Sequence, residues 1–384
     1  MSRAPVLYVL ERYPELSQTF VEGEIRELIA AGQPVEVVAL GAGRALGYEP
    51  AVAAVYPAGP VARVAALARH PARFVRGARG ERFWPPDGSR VRGLLRIAPW
   101  VERARRARHI HAHFATEAAD IARLLSDLSG TPFSFVAHAT DTFRDPGAMR
   151  ANLAAAAFCV TDCEYNRRHL VEVAPEHAGK VEVMLVGADL ERFSRRRPYD
   201  PSGPVVAVGR LVEKKGFDDL ARAAAVVRDR EVLIVGEGPE RPALESLIAE
   251  TGAPVRLLGA VPNEEVRDLM EGASVFVLPC VVAADGDRDG TPTVVSEAMA
   301  LEVPVLGTEE VGLPELIGPD RGRLVPPRDH DALATAIAGL LATDPDDRVA
   351  MGRAGRAWVE QNADRARQAR ALLALIDYRA ERQT

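Results

Sequence analysis

Two cationic side chains, Arg210 and Lys215, stand between an apolar run, Val205–Gly209, and an amphipathic stretch, Phe217–Val227. The apolar run predicts a buried strand and the amphipathic stretch a helix. Both cations therefore lie beside a helix N-terminus, which already favours anions. An arginine fork and a lysine point charge together suit a diphosphate. A pair of ordinary surface cations is the alternative, and this segment alone leaves both open.

A carboxylate stands on each side of a predicted helix start in the segment Asp289–Ala300. The chain turns at Gly290, and Pro292 suits the first turn of a helix. Asp289 therefore lies in the loop before the helix, and Glu297 lies about two turns into it. Backbone N–H groups at the helix start can hold a phosphate, and the flanking carboxylates can bind sugar hydroxyls. A purely structural carboxylate pair is the alternative.

Other patterns that suggest ligands are weaker. Asp285–Gly290 matches the first half of an EF-hand calcium loop, but the twelfth position is Ser296, where the loop needs Glu. The turn Gly236–Pro239, taken alone, indicates a structural turn at a strand end. The three cysteines are an odd number without a metal-ligand spacing, which indicates thiols in the core of a protein from a reducing compartment. These patterns predict no metal site, and we expect no cofactor.

Arginine is concentrated in residues 61–108, which we call the Arg-rich segment. Residues 61–110 contain 13 Arg and three acidic residues, whereas the whole chain of 384 residues has a net charge of −6. Aromatic and aliphatic residues such as Trp84, Leu94 and Trp100 are interleaved with the arginines, as in helices at an anionic membrane surface. An ordinary solvated face is the alternative. Nucleic acid is disfavoured, because no helix-turn-helix or RNA-binding motif accompanies the charge.

Short apolar runs alternate with amphipathic stretches along the chain, which predicts an α/β fold with mainly parallel sheets buried on both faces. The twelve predicted strands are Val6–Leu10, Val35–Leu40, His109–His113, Phe133–Ala137, Phe158–Thr161, Val181–Leu185, Val205–Gly209, Val232–Val235, Val255–Leu258, Val275–Leu278, Val303–Leu306 and Arg323–Val325. They fall into two series of six, which predicts two doubly wound sheets.

A charged stretch rich in Pro and Gly predicts a linker near 195–203. We therefore expect two Rossmann-like domains, over 1–197 and 198–364, followed by a C-terminal helix over 365–384. Ligands of such sheets sit beyond the carboxyl ends of the strands, here in a cleft between two facing domains. No apolar run reaches the length of about 18 residues that a transmembrane helix needs, and no signal-peptide pattern is evident. We expect a cytoplasmic protein.

These features, in this order, resemble the retaining glycosyltransferase family 4, whose members have the GT-B fold. The matching motifs in the second half are Gly209-Arg210-Leu211 with Lys215-Gly216, the Glu-x7-Glu pattern at Asp289 and Glu297, Val303–Leu306 and Gly312–Ile317. Those in the first half resemble the exopolysaccharide, colanic-acid-type branch: Ser17–Val21, His109–Phe114, His138–Asp141 and Gly187–Phe193. The resemblance covers nearly the whole chain, and it suggests that the C-terminal helix crosses back to the N-terminal domain.

The resemblance implies roles for individual residues. The catalytic residues would be His138, Arg210, Lys215 and Asp289. The donor nucleotide sugar would be bound by Arg210, Lys215, Gly236, Gly238, Asp289, Gly290, Thr291, Pro292, Thr293 and Glu297. The acceptor side would include Ser17, Thr19, His111, His113 and Asp141. No metal ligand is implied, although His111 and His113 alternate on one strand and share a face.

Two positions depart from the family pattern. The first carboxylate is Asp289 rather than the more usual Glu, which shortens its reach toward the sugar. The loop at Tyr13-Pro14-Glu15 lacks the Gly-Gly pair that is common in the wider family. A phosphate-binding role of this first loop is therefore not expected.

The expected activity is retaining transfer of a hexosyl unit from a UDP- or GDP-sugar to a saccharide or lipid-linked saccharide in exopolysaccharide synthesis. The Arg-rich segment would give peripheral contact with the inner face of the membrane. A glycosyltransferase for a soluble natural product is the main alternative. A nucleotide-sugar epimerase and a non-catalytic nucleotide-sugar-binding subunit are further alternatives that the carboxylate and cation pairs disfavour.

Overall fold

The computed structural model describes residues 3–15, 18–44, 49–59, 63, 90–143, 146–228 and 230–381. The chain forms two compact units. Unit 1 comprises Met1–Met184 and Arg365–Thr384, and unit 2 comprises Leu185–Asp364. Each unit is built on one parallel sheet with helices packed against it, so the α/β expectation is confirmed.

Unit 1 contains a sheet of seven parallel strands in the order β3-β2-β1-β4-β5-β6-β7. The strands are β1 (Val6–Arg12), β2 (Val35–Gly41), β3 (Ala54–Val55), β4 (His109–His113), β5 (Phe133–Ala137), β6 (Phe158–Thr161) and β7 (Val181–Val183). Successive side chains of β1 point to opposite faces, and both faces are buried: Val6, Tyr8 and Leu10 enter one core layer, and Leu7 and Val9 enter the other. The continuous apolar run of β1 is therefore the expected sequence of a central strand.

The helices of unit 1 cover both faces of this sheet. They are α1 (Thr19–Ala30), α2 (Arg90–Ile97), α3 (Val101–Arg106), α4 (Glu117–Ser129), α5 (Ala139–Thr142), α6 (Pro146–Ala155), α7 (Glu164–Val173) and the last helix α15 (Arg365–Glu381). Helix α15 buries Leu372 and Ile376 in the same core layer as Ile25 of α1. Ion pairs from Arg365 to Glu27 and from Arg379 to Glu182 add specificity to this packing.

Unit 2 contains a sheet of six parallel strands in the order β10-β9-β8-β11-β12-β13. The strands are β8 (Val205–Val208), β9 (Val232–Val235), β10 (Val255–Gly259), β11 (Val275–Leu278), β12 (Val305–Thr308) and β13 (Gly322–Val325). The helices are α8 (Phe217–Val227), α9 (Arg241–Thr251), α10 (Asn263–Glu271), α11 (Thr293–Ala300), α12 (Leu313–Leu316), α13 (His330–Ala342) and α14 (Pro345–Asn362). One continuous core joins them.

Both sheets are doubly wound, and each has one point where the strand order reverses. In unit 1 this point lies between β1 and β4, and in unit 2 it lies between β8 and β11. The connections that leave the two central strands there run in opposite directions, which opens a crevice beyond their carboxyl ends. The residues that follow β8 and β11 are those that the sequence singles out for chemistry.

The predicted linker near 195–203 lies inside unit 2, and the first boundary falls at Leu185 rather than at residue 198. Hydrogen bonds explain the difference. The backbone N–H of Arg197 donates to Glu271 over 2.9 Å, and Tyr199 donates its hydroxyl to the carbonyl of Ser274 over 2.6 Å. Arg195 donates to the carbonyl of Leu301 over 2.8 Å. The charged stretch is thus a fixed strap on unit 2.

The described part of the Arg-rich segment uses its apolar residues in the core of unit 1. Leu94, Ile97 and Trp100 are buried there, so these three do not form a face toward lipid. Arg103 forms an ion pair with Glu36 at 2.6 Å. Residues 64–89, which carry Trp84, lie outside the described residues. No helix in the described part of the chain is both long enough and apolar enough to span a membrane.

Gly236, which directly follows β9, is required by close packing of two loops. Its φ is +144°, and a Cβ atom there would lie 1.8 Å from the carbonyl oxygen of Gly209. We expect Gly236→Ala to lower the free energy of unfolding by about 1–3 kcal/mol, because the loop after β8 must move. Gly339→Ala on α13 is the control, since a Cβ there has no neighbour within 4 Å. Denaturant unfolding measures both.

The control substitution should raise the free energy of unfolding by about 0.5–1 kcal/mol, the usual gain of alanine over glycine inside a helix. Equal effects of Gly236→Ala and Gly339→Ala would contradict the close packing of the two loops.

Candidate functional site

The loops that follow β8 and β11 are joined at the point where the unit 2 sheet reverses its order. A short 3₁₀ helix, Glu213–Lys215, ends at Gly216, whose φ is +63°. A Cβ atom on Gly216 would lie 2.0 Å from the carbonyl oxygen of Pro279, so only glycine lets the two loops approach this closely. The N–H of Val281 also donates to the carbonyl of Lys214 over 3.0 Å.

Asp289 is held between two lysines at this junction. Its carboxylate lies 2.6 Å from Nζ of Lys215 and 3.3 Å from Nζ of Lys214. Lys214 is only 2% exposed and also pairs with Asp287 at 3.1 Å. The thiol of Cys280 lies 3.6 Å from the Asp289 carboxylate. The four charged groups form one network that ties both loops together.

The network favours the ionised forms of Asp289 and Lys215 despite burial. Burial alone would raise the pKa of Asp289, but the two lysines outweigh it and hold that pKa below its ordinary value. Burial likewise opposes the charge of Lys215, yet Asp289 raises the pKa of this lysine above its ordinary value. Burial raises the pKa of Cys280, so its thiol stays protonated. The site therefore presents fixed charges at neutral pH.

Arg210 adds a cation that is not neutralised. Its side chain is exposed and, within the described ranges, makes no hydrogen bond or ion pair. It lies close enough to Lys215 to oppose the charge of that lysine. The loop that carries Arg210 packs against the loop after β9. The N–H of Leu211 donates to the carbonyl of Glu237 over 3.0 Å. A Cβ atom on Gly238 would lie 2.3 Å from the carbonyl oxygen of Leu211.

Helix α11 begins beside this network. Pro292 is its N-cap residue and Thr293 its first residue, so Pro292 lies directly before the first turn, in which the sequence places it. Gly290 and Thr291 are buried in the loop before it, and the carbonyl of Gly290 accepts a hydrogen bond from the backbone of Gly312. Glu297 lies on the helix, partly exposed. The predicted donor-binding residues of the second half are thus gathered at one sheet edge.

The predicted histidines of the first half also come together, in unit 1. His111 and His113 lie on β4, and His138 directly follows β5. Nδ1 of His113 lies 3.3 Å from Nε2 of His138, and Nε2 of His113 lies 2.9 Å from Oε1 of Glu24. Tyr8 donates its hydroxyl to the same carboxylate over 2.5 Å. These residues border the reversal point between β1 and β4.

Burial favours the neutral form of two imidazoles of this cluster, those of His111 and His138. It lowers the pKa of His111 and of His138 to about 3. Burial alone would raise the pKa of Glu24, but the interactions with His113, His111 and the Tyr8 hydroxyl together lower it to about 2. A neutral imidazole exposes one nitrogen lone pair, which can accept a proton or bind a metal ion.

The other predicted acceptor-side residues are placed differently. Asp141 is buried in α5, and its carboxylate accepts a hydrogen bond from the backbone N–H of Ala115, so it fixes the loop after β4. Burial raises the pKa of Asp141 to about 8. Thr19 is the first residue of α1 and is partly exposed. Ser17 lies outside the described residues.

Two functional residues were missed in the sequence. Lys214 stands beside the predicted Lys215, but nothing local shows that it is the more buried of the two and pairs with Asp287 and Asp289. Glu24 is one of several acids on α1, and it lies 89 residues from its partner His113. Only the strand order of unit 1 brings the second pair together.

Comparison with known proteins identifies the family. Residues 203–343, which lie within unit 2, match the family model described as glycosyl transferases group 1. A relative in Bacillus subtilis strain 168, named as the teichuronic acid biosynthesis glycosyltransferase TuaC, is 31% identical over 282 residues, which cover 69% of this chain and 69% of TuaC. The chain belongs to the glycosyl transferases group 1 family.

Two further relatives of this chain match over shorter lengths. WcaL of Escherichia coli K12, named for colanic acid biosynthesis, is 36% identical over 192 residues, 48% of this chain and 47% of WcaL. A mannosyltransferase of Corynebacterium glutamicum, named as GDP-mannose-dependent and as acting on a monoacylated phosphatidylinositol monomannoside, is 35% identical over 191 residues, 45% of this chain and 50% of the relative. The match thus spans about half of each of these relatives.

The fold of this family member also occurs in HepE of Anabaena, crystallised with UDP. The TM-score is 0.75 at 16% sequence identity, and the alignment covers 97% of this chain and 100% of HepE. At this identity the similarity shows the fold alone. The predicted GT-B fold, with two Rossmann-like parallel-sheet units, is confirmed.

The raised pKa of Asp141 predicts a pH-dependent contribution to stability. The folded state keeps the Asp141 proton up to about pH 8, whereas the unfolded chain loses it near pH 4. The stabilisation is therefore full below about pH 4 and is lost as the pH rises to 8. We expect the melting temperature of the parent, relative to Asp141→Asn, to fall steadily between pH 5 and pH 8.

Asp331→Asn is the matched control for this comparison, because the Asp331 side chain is exposed. Its melting temperature should follow that of the parent across the range. A constant difference between parent and Asp141→Asn would contradict the assigned protonation of Asp141.

Proposed function

We propose that this glycosyltransferase is a retaining enzyme that transfers a hexosyl unit from a UDP- or GDP-sugar to a saccharide or lipid-linked saccharide in glycan synthesis. The observation that carries the proposal is the charge network at the unit 2 reversal point, where Lys215 is fixed by Asp289 and Arg210 is left without a partner in the described ranges. UDP in the crystals of HepE and GDP-mannose in the name of the C. glutamicum relative support a nucleotide-sugar donor.

Arg210 and Lys215 would bind the donor diphosphate. When the sugar departs, negative charge develops on the leaving phosphate, and fixed cations stabilise that charge most where they are already oriented. The Asp289 carboxylate fixes the Lys215 ammonium before the donor arrives. The start of α11 adds backbone N–H groups and the positive end of the helix dipole. These charges would replace a metal ion at the diphosphate, so we propose metal-independent transfer.

The residues around the start of α11 would hold the sugar and the ribose. Asp289 uses three contacts in its network, and a carboxylate has about four acceptor positions, so one remains for a hydroxyl of the donor sugar. Gly290 through Thr293 would add backbone contacts to that sugar. Glu297, further along the same face, would bind the ribose hydroxyls. The family resemblance is our ground for proposing that His138 lies near the donor sugar. It is also our ground for proposing that retention follows attack from the leaving-group face.

Nucleotide binding tests the proposed cation clamp. We expect UDP or GDP to raise the melting temperature of the parent protein. At a nucleotide concentration of about 100 times the dissociation constant, the free energy of unfolding should rise by about 2.7 kcal/mol. The increase should be the same with and without EDTA. Arg210→Ala and Lys215→Ala should each weaken binding about 10–100-fold, because each removes a hydrogen bond to a charged group worth about 1.5–3 kcal/mol.

Arg256→Ala is the matched control, because Arg256 is an exposed arginine of the same sheet that pairs only with Glu231 among the described residues. It should bind nucleotide like the parent. Parent-like binding by both Arg210→Ala and Lys215→Ala would contradict the clamp. Turnover with a sugar acceptor then separates a transferase from an epimerase or from a binding subunit.

We further propose that the acceptor is lipid-linked and that the Arg-rich segment contacts an anionic membrane surface. The lipid acceptor in the name of the C. glutamicum relative and the net charge of residues 61–110 support this. The acceptor side would include Thr19, His111 and His113. Asp141 would contribute there by fixing the loop after β4.

Vesicle binding tests the membrane contact. Replacement of Arg73, Arg76, Arg79 and Arg82 by Ser should weaken sedimentation with vesicles of equal phosphatidylglycerol and phosphatidylcholine at least tenfold, since each basic residue near such a surface contributes about 1 kcal/mol. Vesicles of phosphatidylcholine alone are the control and should bind neither protein. Equal binding of parent and variant would favour the alternative, a soluble natural-product acceptor.

A further inference from the structure

Three potential metal-ligand atoms converge in unit 1, outside the donor site. They belong to Glu24 of α1 and to His111 and His113 of β4, and all lie within 4.8 Å of one another. Oε1 of Glu24 is 2.9 Å from Nε2 of His113 and 4.0 Å from Nε2 of His111. Tetrahedral ligand atoms at zinc bond lengths of about 2.1 Å lie roughly 3.4 Å apart. The two separations from Glu24 lie on either side of this spacing, as expected for atoms that share one ion.

Each of these groups has a partner on its outer side. Nδ1 of His111 lies 2.8 Å from Oγ of Ser134, and Nδ1 of His113 lies 3.3 Å from Nε2 of His138. The Glu24 carboxylate accepts the hydroxyl hydrogen of Tyr8. If both Nδ1 atoms carry the proton, both Nε2 lone pairs point toward the Glu24 carboxylate. Metal-binding histidines usually have this arrangement, with the other ring nitrogen donating a hydrogen bond.

The inner nitrogen of His111 has no partner in the part of the chain that the structure describes. His111 is fully buried, and its Nε2 atom makes no hydrogen bond there. In either tautomer a polar nitrogen is therefore left facing a carboxylate at a distance too long for a hydrogen bond. Buried polar atoms without a partner are rare and call for an explanation. A cation between His111 and Glu24 supplies one.

We propose that Glu24, His111 and His113 bind a divalent transition metal, with Zn²⁺ as the best match. Two imidazoles and one carboxylate are a ligand set that zinc takes, with a fourth position left for water. Calcium and magnesium prefer oxygen ligands and fit this set poorly. The Glu24 side chain is 21% exposed, which gives an ion a route from solvent.

The metal would act on the structure of unit 1 and on His138. It joins α1 to β4 at the reversal point of the sheet. It also fixes the proton of His113 on Nδ1, and this nitrogen then donates to Nε2 of His138. His113 is thus a positioning residue for His138.

Metal analysis of the purified full chain is the first test. The protein is stripped with chelator, dialysed, and titrated with Zn²⁺ and separately with Co²⁺. We expect one Zn²⁺ per chain by mass spectrometry of the metal, a rise in melting temperature on zinc addition, and the visible absorption bands of tetrahedral Co²⁺. Chelator should lower the melting temperature of the free protein without removing the further increase that UDP or GDP gives.

Substitutions locate the ion. His111→Ala and Glu24→Gln should each lower zinc affinity at least tenfold and abolish the cobalt bands, and the second change keeps the shape of the side chain if the first impairs folding. His177→Ala is the control for adventitious binding by a histidine outside the cluster. A stripped parent that binds neither metal, or a Glu24→Gln variant that binds like the parent, would overturn the proposal and leave a hydrogen-bonded Glu24–His113–His138 chain.

Discussion

The pairing of the partly buried Asp289 carboxylate with Lys214 and Lys215 is the interaction on which the candidate donor site depends. Charges taken out of water are costly unless they are paired and hydrogen-bonded. Here the carboxylate lies 2.6 Å from one ammonium and 3.3 Å from the other. Removal of Asp289 would leave the Lys215 ammonium without its carboxylate partner. The loops after β8 and β11 are therefore fixed relative to one another, and Lys215 is oriented before any ligand binds.

The sheet and its glycines make this network possible. The strand order of unit 2 places β8 beside β11, so the two loops leave the same edge of the sheet. Gly216 and Gly236 then allow backbones to approach within distances that a Cβ atom would block. Unit 1 repeats the plan, because β1 and β4 place Tyr8 beside His111 and His113. One topology thus yields two polar clusters with different chemistry.

Much of the fold was predictable because its strands are buried on both faces. Eleven of the twelve predicted strands begin within one residue of the first residue of an observed strand. The exception is β12, which begins two residues later than predicted. The two-residue strand β3 carries too little pattern to be recognised. Membership of the glycosyl transferases group 1 family and the GT-B fold are confirmed. Both were predictable because the motifs Gly209–Gly216 and Asp289–Ala300 depend on local geometry that the sequence encodes directly.

The parts that were missed depend on contacts between distant residues. The strap at 195–203 looks like a linker in the sequence because its partners are distant: Glu271, which accepts from the backbone N–H of Arg197, is more than 70 residues away. Leu94, Ile97 and Trp100 look like a membrane face because periodicity shows an apolar side but not what covers it. Glu24 has no local signal. In each case the residue's contacts come from elements that are distant in the sequence and are brought together only by the packing of the fold.

A structure of the protein with a bound nucleoside diphosphate tests the central claim most directly. The account predicts oxygen atoms of the diphosphate within about 2.7–3.2 Å of Nζ of Lys215 and of the Arg210 guanidinium, with Asp289 still paired to Lys215. A nucleotide bound elsewhere, with Arg210 free and Lys215 contacting only Asp289, would contradict it.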